Sequence, residues 1–111
     1  MSPEMPPETT RQPAVIEYVT FTLVPGATDA AFLAAAQGTE ALVRRQPGFL
    51  SRRLSKGADG RWTDAVTWAS LAEAQAAPTA VMSEPAFHPF MALIDGSSAL
   101  MRHEALALTL D

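Results

Sequence analysis

AVIEYVTFTLV, residues 14–24, is the stretch on which the fold turns. It is rich in β-branched and aromatic residues and is closed by Pro25-Gly26, the composition of a strand followed by a breaker. Strand alternation places Val15, Glu17, Val19, Phe21 and Leu23 on one side and Ile16, Tyr18, Thr20, Thr22 and Val24 on the other. Neither side has the polar character of a surface left in water. Both are expected to be covered.

Downstream, Thr28 or Asp29 is placed to cap a helix reaching about Arg45, since a side-chain oxygen there accepts the N–H groups of the first turn. Phe32, Ala36, Thr39 and Val43 supply its apolar stripe, and Pro47-Gly48 stops it. Residues 49–56 and 61–69 read as the arms of a hairpin around Gly57-Ala58-Asp59-Gly60. Ser70 opens a second helical region, with Glu73 three residues on as in a capping box. Pro78 and Pro85 interrupt it, which predicts helices over 71–77 and 84–94 and leaves 79–83 open. The alternating tail predicts a strand over 99–109, although its Ala, Leu, Met and Glu also suit a helix from Ser98. Residues 1–13 hold four of the nine prolines and almost nothing to bury. They are expected as a disordered N-terminal arm before one domain over 14–111.

Strand, helix, strand, strand, helix, strand is the order of an α+β, ferredoxin-like βαββαβ fold: a four-stranded antiparallel sheet with both helices on one face. The opposite face should alternate cleanly if it met water. Instead, whichever side of 14–24 faces away from the helices keeps either Val15, Val19, Phe21 and Leu23 or Ile16, Tyr18 and Val24. Each large apolar side chain left wet forfeits about 1.5–3 kcal/mol. A second copy of the same sheet covers such a patch with a self-complementary surface, so a homodimer joined through its sheet faces is expected.

Composition narrows the function classes. A length of 111 residues suits one domain, and the absence of cysteine excludes disulfides, thiolate metal sites and a cysteine nucleophile. Eight basic against twelve acidic residues, a net charge of -4, argue against nucleic acid as partner. No apolar run approaches the roughly 18–20 residues that cross a bilayer, and MSPEMPPETT has no basic or apolar region of a secretory signal. A cytoplasmic bacterial protein with no membrane partner is the expectation. No glycine-rich phosphate loop, HExxH or CxxC is present, and two separated histidines make no metal site, so neither metal nor cofactor is expected.

PGF (47–49), TWAS (67–70), LAEAQA (71–76), SEPAFHPFMALID (83–95) and MRHEAL (101–106) together resemble the antibiotic biosynthesis monooxygenase-like domains of the dimeric α/β barrel superfamily, over residues 14–108. The resemblance implies a dimeric α/β barrel and cofactor-independent oxygenation of an aromatic or quinol-like substrate. In that chemistry the substrate's own phenolate or enolate reduces oxygen, and the protein supplies a dry pocket, an oriented ring and a proton acceptor. The superfamily's haem-degrading branch is similar in using an Asn on the first strand, with a Trp and a His in the second helical region. This chain has no Asn, and Val81 and Met91 stand near the other two positions, so haem degradation is not expected.

Within that frame Trp68 is the expected wall of a ligand pocket, against a competing role in packing. Tyr18 is a hydrogen-bond donor to substrate or an aromatic of the dimer face. His103, on a strand face with Met101 and Ala105, is a candidate base, and His88 a weaker one. Of the consecutive Arg52 and Arg53, one clamps an anionic ligand or pairs with Glu17, Asp64 or Glu104. Phe87 and Met91 contact the ligand or, with Phe90 and Ile94, fill the core, while Trp62 near the hairpin turn is assigned to an edge or interface. Two functions remain open: an oxygenase using His103, Tyr18, Trp68, Arg52, Phe87 and Met91, and a non-catalytic homodimer that binds a small hydrophobic molecule.

Overall fold

Strand β1 (Val15–Phe21) takes an inner place in a four-stranded sheet because both of its edges are used. The computed structural model describes residues 13–111, so the expected arm lies, up to residue 12, outside the described residues. On one edge β1 pairs antiparallel with β3 (Trp62–Trp68), and on the other with β4 (Leu100–Ala105). β2 (Phe49–Lys56) adds to β3, giving the order β2-β3-β1-β4. β1, β3, β2 and β4 thus form the antiparallel sheet that the βαββαβ order predicted.

The helices depart from the sequence boundaries in instructive ways. The single helix expected to Arg45 is two: α1 (Asp29–Gln37), capped by the Thr28 side chain, and α2 (Glu40–Arg44). Between them the Thr39 hydroxyl donates to the Ala36 carbonyl at 2.6 Å, competing with the helical ladder next to a glycine of low helix propensity. Conversely, α3 (Leu71–Met82) runs straight through Pro78. Proline removes one N–H, but Ala74, Ala77 and Val81 are buried by the same helix, and that packing holds it together. A 3₁₀ turn (Pro85–Phe87) then leads into the short α4 (His88–Ala92), so the helix expected over 84–94 is reduced to these two pieces. Ser70 caps α3 by accepting from the Glu73 N–H at 3.2 Å, as the capping box predicted.

β4 ends at Ala105 rather than near 109. Its partner β1 begins at Val15, and the Leu106 N–H to Ala14 carbonyl bond, 2.8 Å, is the last between the two segments among the described residues; Pro13, next along the chain, has no N–H to give. Past that point the tail has no strand partner among the described residues and exposes Leu108 and Leu110 at 84% and 93%.

The helix-facing side of β1 is the Val15, Glu17, Val19, Phe21 set. Ile16, Tyr18 and Thr20 face away, beside Thr63, Ala65 and Thr67 of β3 and Leu100, Arg102 and Glu104 of β4. This open face is the less oily of the two alternatives, because its neighbours on β2 and β3 are largely Ser, Thr and Arg. Beneath the helices lie two clusters. Val15, Val66, Trp68, Ala74 and Ala77 form one, and Phe21, Phe32, Ala36, Trp62 and Phe90 the other. Trp62 is therefore core rather than edge: its ring sits 4.9 Å from Phe32, edge to face. Each such fully buried side chain is worth about 1.5–3 kcal/mol.

Candidate functional site

Where the two clusters fail to meet, a cavity of about 250 Å³ opens between sheet and helices. Val66, Trp68 and Ala77 border it from one cluster, Phe21 and Phe90 from the other. Met82, Met91 and Met101, all partly exposed, line it where it reaches solvent. Pro78 and Val81 of α3 complete a wall that the unbroken helix makes continuous. A larger groove of about 520 Å³ between α1, α2 and the edge strand β2 is open and edged by Glu40 and Arg44. Among its described lining residues it brings no buried titratable groups together beyond Arg52, which borders both spaces, so the smaller cavity is the candidate site.

Two carboxylates enter that apolar space, both from sheet positions that face the helices. Asp64 is held by Arg52 in a bidentate pair, Nε to Oδ1 at 3.0 Å and Nη2 to Oδ2 at 2.8 Å. Arg52 spends a third donor on the Thr39 hydroxyl at 2.9 Å and lies over the Phe90 ring. Thr39, 0% exposed, is thus the keystone between the α1–α2 break and the ion pair.

Glu17 has no such cation. It is 6% exposed and accepts one hydrogen bond, from Trp68 Nε1 at 3.3 Å. Burial pushes its carboxyl above the usual range; the Trp68 bond and nearby His103 pull it back, and Asp64 adds a smaller upward push. His103 Nε2 stands 3.8 Å from Glu17 Oε2, outside hydrogen-bond reach, and has no hydrogen-bond partner among the described residues. The result is a proton-accepting carboxylate in an apolar pocket, backed by an imidazole. Raising a carboxyl toward neutrality makes it a stronger base while leaving it ionisable.

Of the residues expected in the site, Trp68, Arg52, Phe87 and Met91 all line the cavity. Arg52 does so as an ion-pair partner of Asp64. His103 reaches the site only through Glu17, behind the lining. Tyr18 is separated from them: it lies on the opposite face of the sheet, where the Arg102 guanidinium sits 4.3 Å from its ring centre. His88 does not line the cavity. Glu17, the buried carboxylate without a Lys or Arg partner among the described residues, was named from sequence only as an ion-pair partner. Its signal was there, an acidic residue on the apolar side of β1 between Val15 and Val19. Among the described residues no group of three or more His, Asp or Glu side chains is placed to hold a metal ion, and no helix is long and apolar enough to cross a membrane.

No family model matches the chain, and no curated protein does. Solved structures do. A protein of Bordetella bronchiseptica, named as a candidate antibiotic biosynthesis monooxygenase, superimposes with a TM-score of 0.75 at 18% identity, over 87% of this chain and 100% of that one. SnoaB of Streptomyces nogalater, named as a cofactor-independent oxygenase, does so with a TM-score of 0.59 at 22% identity, over 89% and 96%. The ActVA-Orf6 monooxygenase of Streptomyces coelicolor, whose structure holds nanaomycin D, gives 0.63 at 19%, over 88% and 91%. These likenesses establish architecture rather than activity: the chain has the fold of the antibiotic biosynthesis monooxygenase-like proteins.

Proposed function

We propose that the protein binds a small hydroxylated aromatic molecule in the cavity between sheet and helices and oxygenates it without a cofactor. The observation that carries this reading is Glu17, a carboxylate buried at the wall of a largely apolar pocket, raised in pKa by that burial and, among the described residues, without the Lys or Arg partner that Asp64 has. A phenolic hydroxyl beside Glu17 loses its proton to the carboxylate. The electron-rich ring then passes electrons to oxygen, with one oxygen atom kept as a ring carbonyl and the other leaving as water. For 1-naphthol the balance is one oxygen consumed for each 1,4-naphthoquinone and each water formed. Trp68 orients Glu17 and walls the ring, and the apolar lining keeps competing water away. The cofactor-independent oxygenase among the structural neighbours supports this chemistry.

The test is oxygen uptake by the purified protein with hydroquinones, naphthols and anthrones, with the products identified. Turnover of the naphthols or anthrones at one oxygen per quinone, with water and not hydrogen peroxide as the second product, supports the oxygenase. Saturable binding without oxygen uptake replaces it with a non-catalytic ligand-binding role for the same cavity. The protein is further proposed to work as a homodimer through the open sheet face. Among the described residues no helix covers the face that carries Ile16, Tyr18 and Leu100 (68% exposed), and Leu108 and Leu110 of the tail are exposed as well. Light scattering at micromolar concentration is expected to give twice the chain mass.

A further inference from the structure

We propose that Asp64, by occupying Arg52, makes the cavity select an uncharged hydroxylated nucleus of one or two rings and reject its carboxylated counterpart. The inference rests on the reading of the cavity as the binding site for a ring hydroxyl, and it goes on to set size and charge limits peculiar to this chain.

Size comes first. An apolar cavity of about 150 Å³ holds one benzene ring. The 250 Å³ here is therefore enough for a two-ring nucleus, with its hydroxyl toward Glu17 and its far edge at the methionines. A third ring in line must pass Met91 and Met101 into solvent, where it buries little and gains little.

Charge comes second. Arg52 is the only Lys or Arg among the described residues that line the cavity. Its carboxylate-recognising edge is already taken by Asp64 in a bidentate pair, and another of its donors goes to Thr39. An incoming carboxylate thus finds no unclaimed cation. It meets instead the like charge of Asp64 and the second carboxyl group, Glu17, in surroundings too apolar to solvate it. A neutral hydroxyl escapes both penalties and has Glu17 as its partner.

The experiment is calorimetric titration of the full chain at pH 7, under argon so that no oxygenation adds heat, with phenol, 1-naphthol, 1-anthrol and 1-naphthoate, repeated with the Asp64→Asn variant. Affinity is expected to rise about tenfold from one ring to two, as added apolar area is buried. It is expected not to rise from two rings to three, and 1-naphthoate is expected to bind wild type at least about tenfold more weakly than 1-naphthol. In Asp64→Asn the freed guanidinium is expected to tighten 1-naphthoate about tenfold while 1-naphthol changes little. If 1-anthrol binds more than about threefold tighter than 1-naphthol, or wild type takes the naphthoate as well as the naphthol, the selectivity proposal is overturned while the cavity remains a binding site. Failure of all four compounds to bind wild type overturns the cavity reading itself and this inference with it. Should the variant not fold, the wild-type series alone decides.

Discussion

Glu17 and His103 are cross-strand partners in the β1–β4 ladder, with carboxylate Oε2 and imidazole Nε2 3.8 Å apart. The pair is too long for a hydrogen bond but close enough for charge to be felt, and the imidazole is one of two influences that hold the Glu17 carboxyl down. His103 therefore acts on the cavity through Glu17. Replacing it with glutamine is expected to leave 1-naphthol binding within about threefold, while the acidic limb of the activity profile moves to higher pH. An unmoved limb with a large loss of binding would give His103 a direct contact with ligand instead.

Glu17→Gln separates proton transfer from binding. Loss of a positioned base lowers turnover by about 10²–10⁴-fold. Binding of 1-naphthol is expected to survive, because the amide still presents a carbonyl acceptor to the hydroxyl. Steady-state kinetics alongside calorimetry read the two effects apart, and equal losses in both would show that Glu17 only binds.

The same substitution has a signed effect on stability. The folded-state pKa of Glu17 lies above its ordinary value of 4.5, so folding favours the protonated carboxyl. Its contribution is fully present below pH 4.5 and is lost as pH rises through the raised value. Other groups facing it are Trp68 and Asp64 from β3 and His103 from β4. The Tm of Glu17→Gln relative to wild type is expected to climb from pH 4.5 upward and then level off; a difference flat across that range would mean that burial does not govern this carboxyl.

Removing one member of the Arg52–Asp64 pair strands a charge that is nearly nine-tenths buried. Asp64→Ala is expected to cost about 3 kcal/mol in chemical denaturation, and Arg52→Met a similar amount. The double variant Arg52→Met with Asp64→Leu is expected to be less destabilised than the sum of the single changes, since no lone charge then remains.

Gly48, at φ +83°, turns the chain from α2 into β2, and a side chain there would run into Glu73 at the start of α3. Gly48→Ala is expected to cost about 1–3 kcal/mol through backbone strain and displacement of Glu73. Thermal unfolding at constant pH checks it.

Local chemistry was enough to read much of the fold. AVIEYVTFTLV could only be a strand with two demanding faces, Gly57–Gly60 could only turn a hairpin, and Ser70 with Glu73 marked a helix start that the hydrogen bonds bear out. These signals act within a few residues, so one chain read in order contains them. It also singled out Trp68, Phe87, Met91 and Arg52, which the structure brings together in the lining of one cavity. Where the sequence-based expectations failed, packing across the fold took part: Pro78 stays helical because α3 packs on the sheet, and the break at Gly38 and Thr39, made locally by the Thr39 bond to Ala36, carries a hydroxyl that also accepts from Arg52, thirteen residues on. Which face of β1 turned inward could not be decided from alternation, since both faces were apolar enough. Tertiary packing chose the Glu17 side, sent Tyr18 to the other, and left Asp64 matched with a cation and Glu17 without one. The chemistry of the site follows from that asymmetry, because a carboxyl's proton affinity depends on what surrounds it in space and not on its neighbours in the chain.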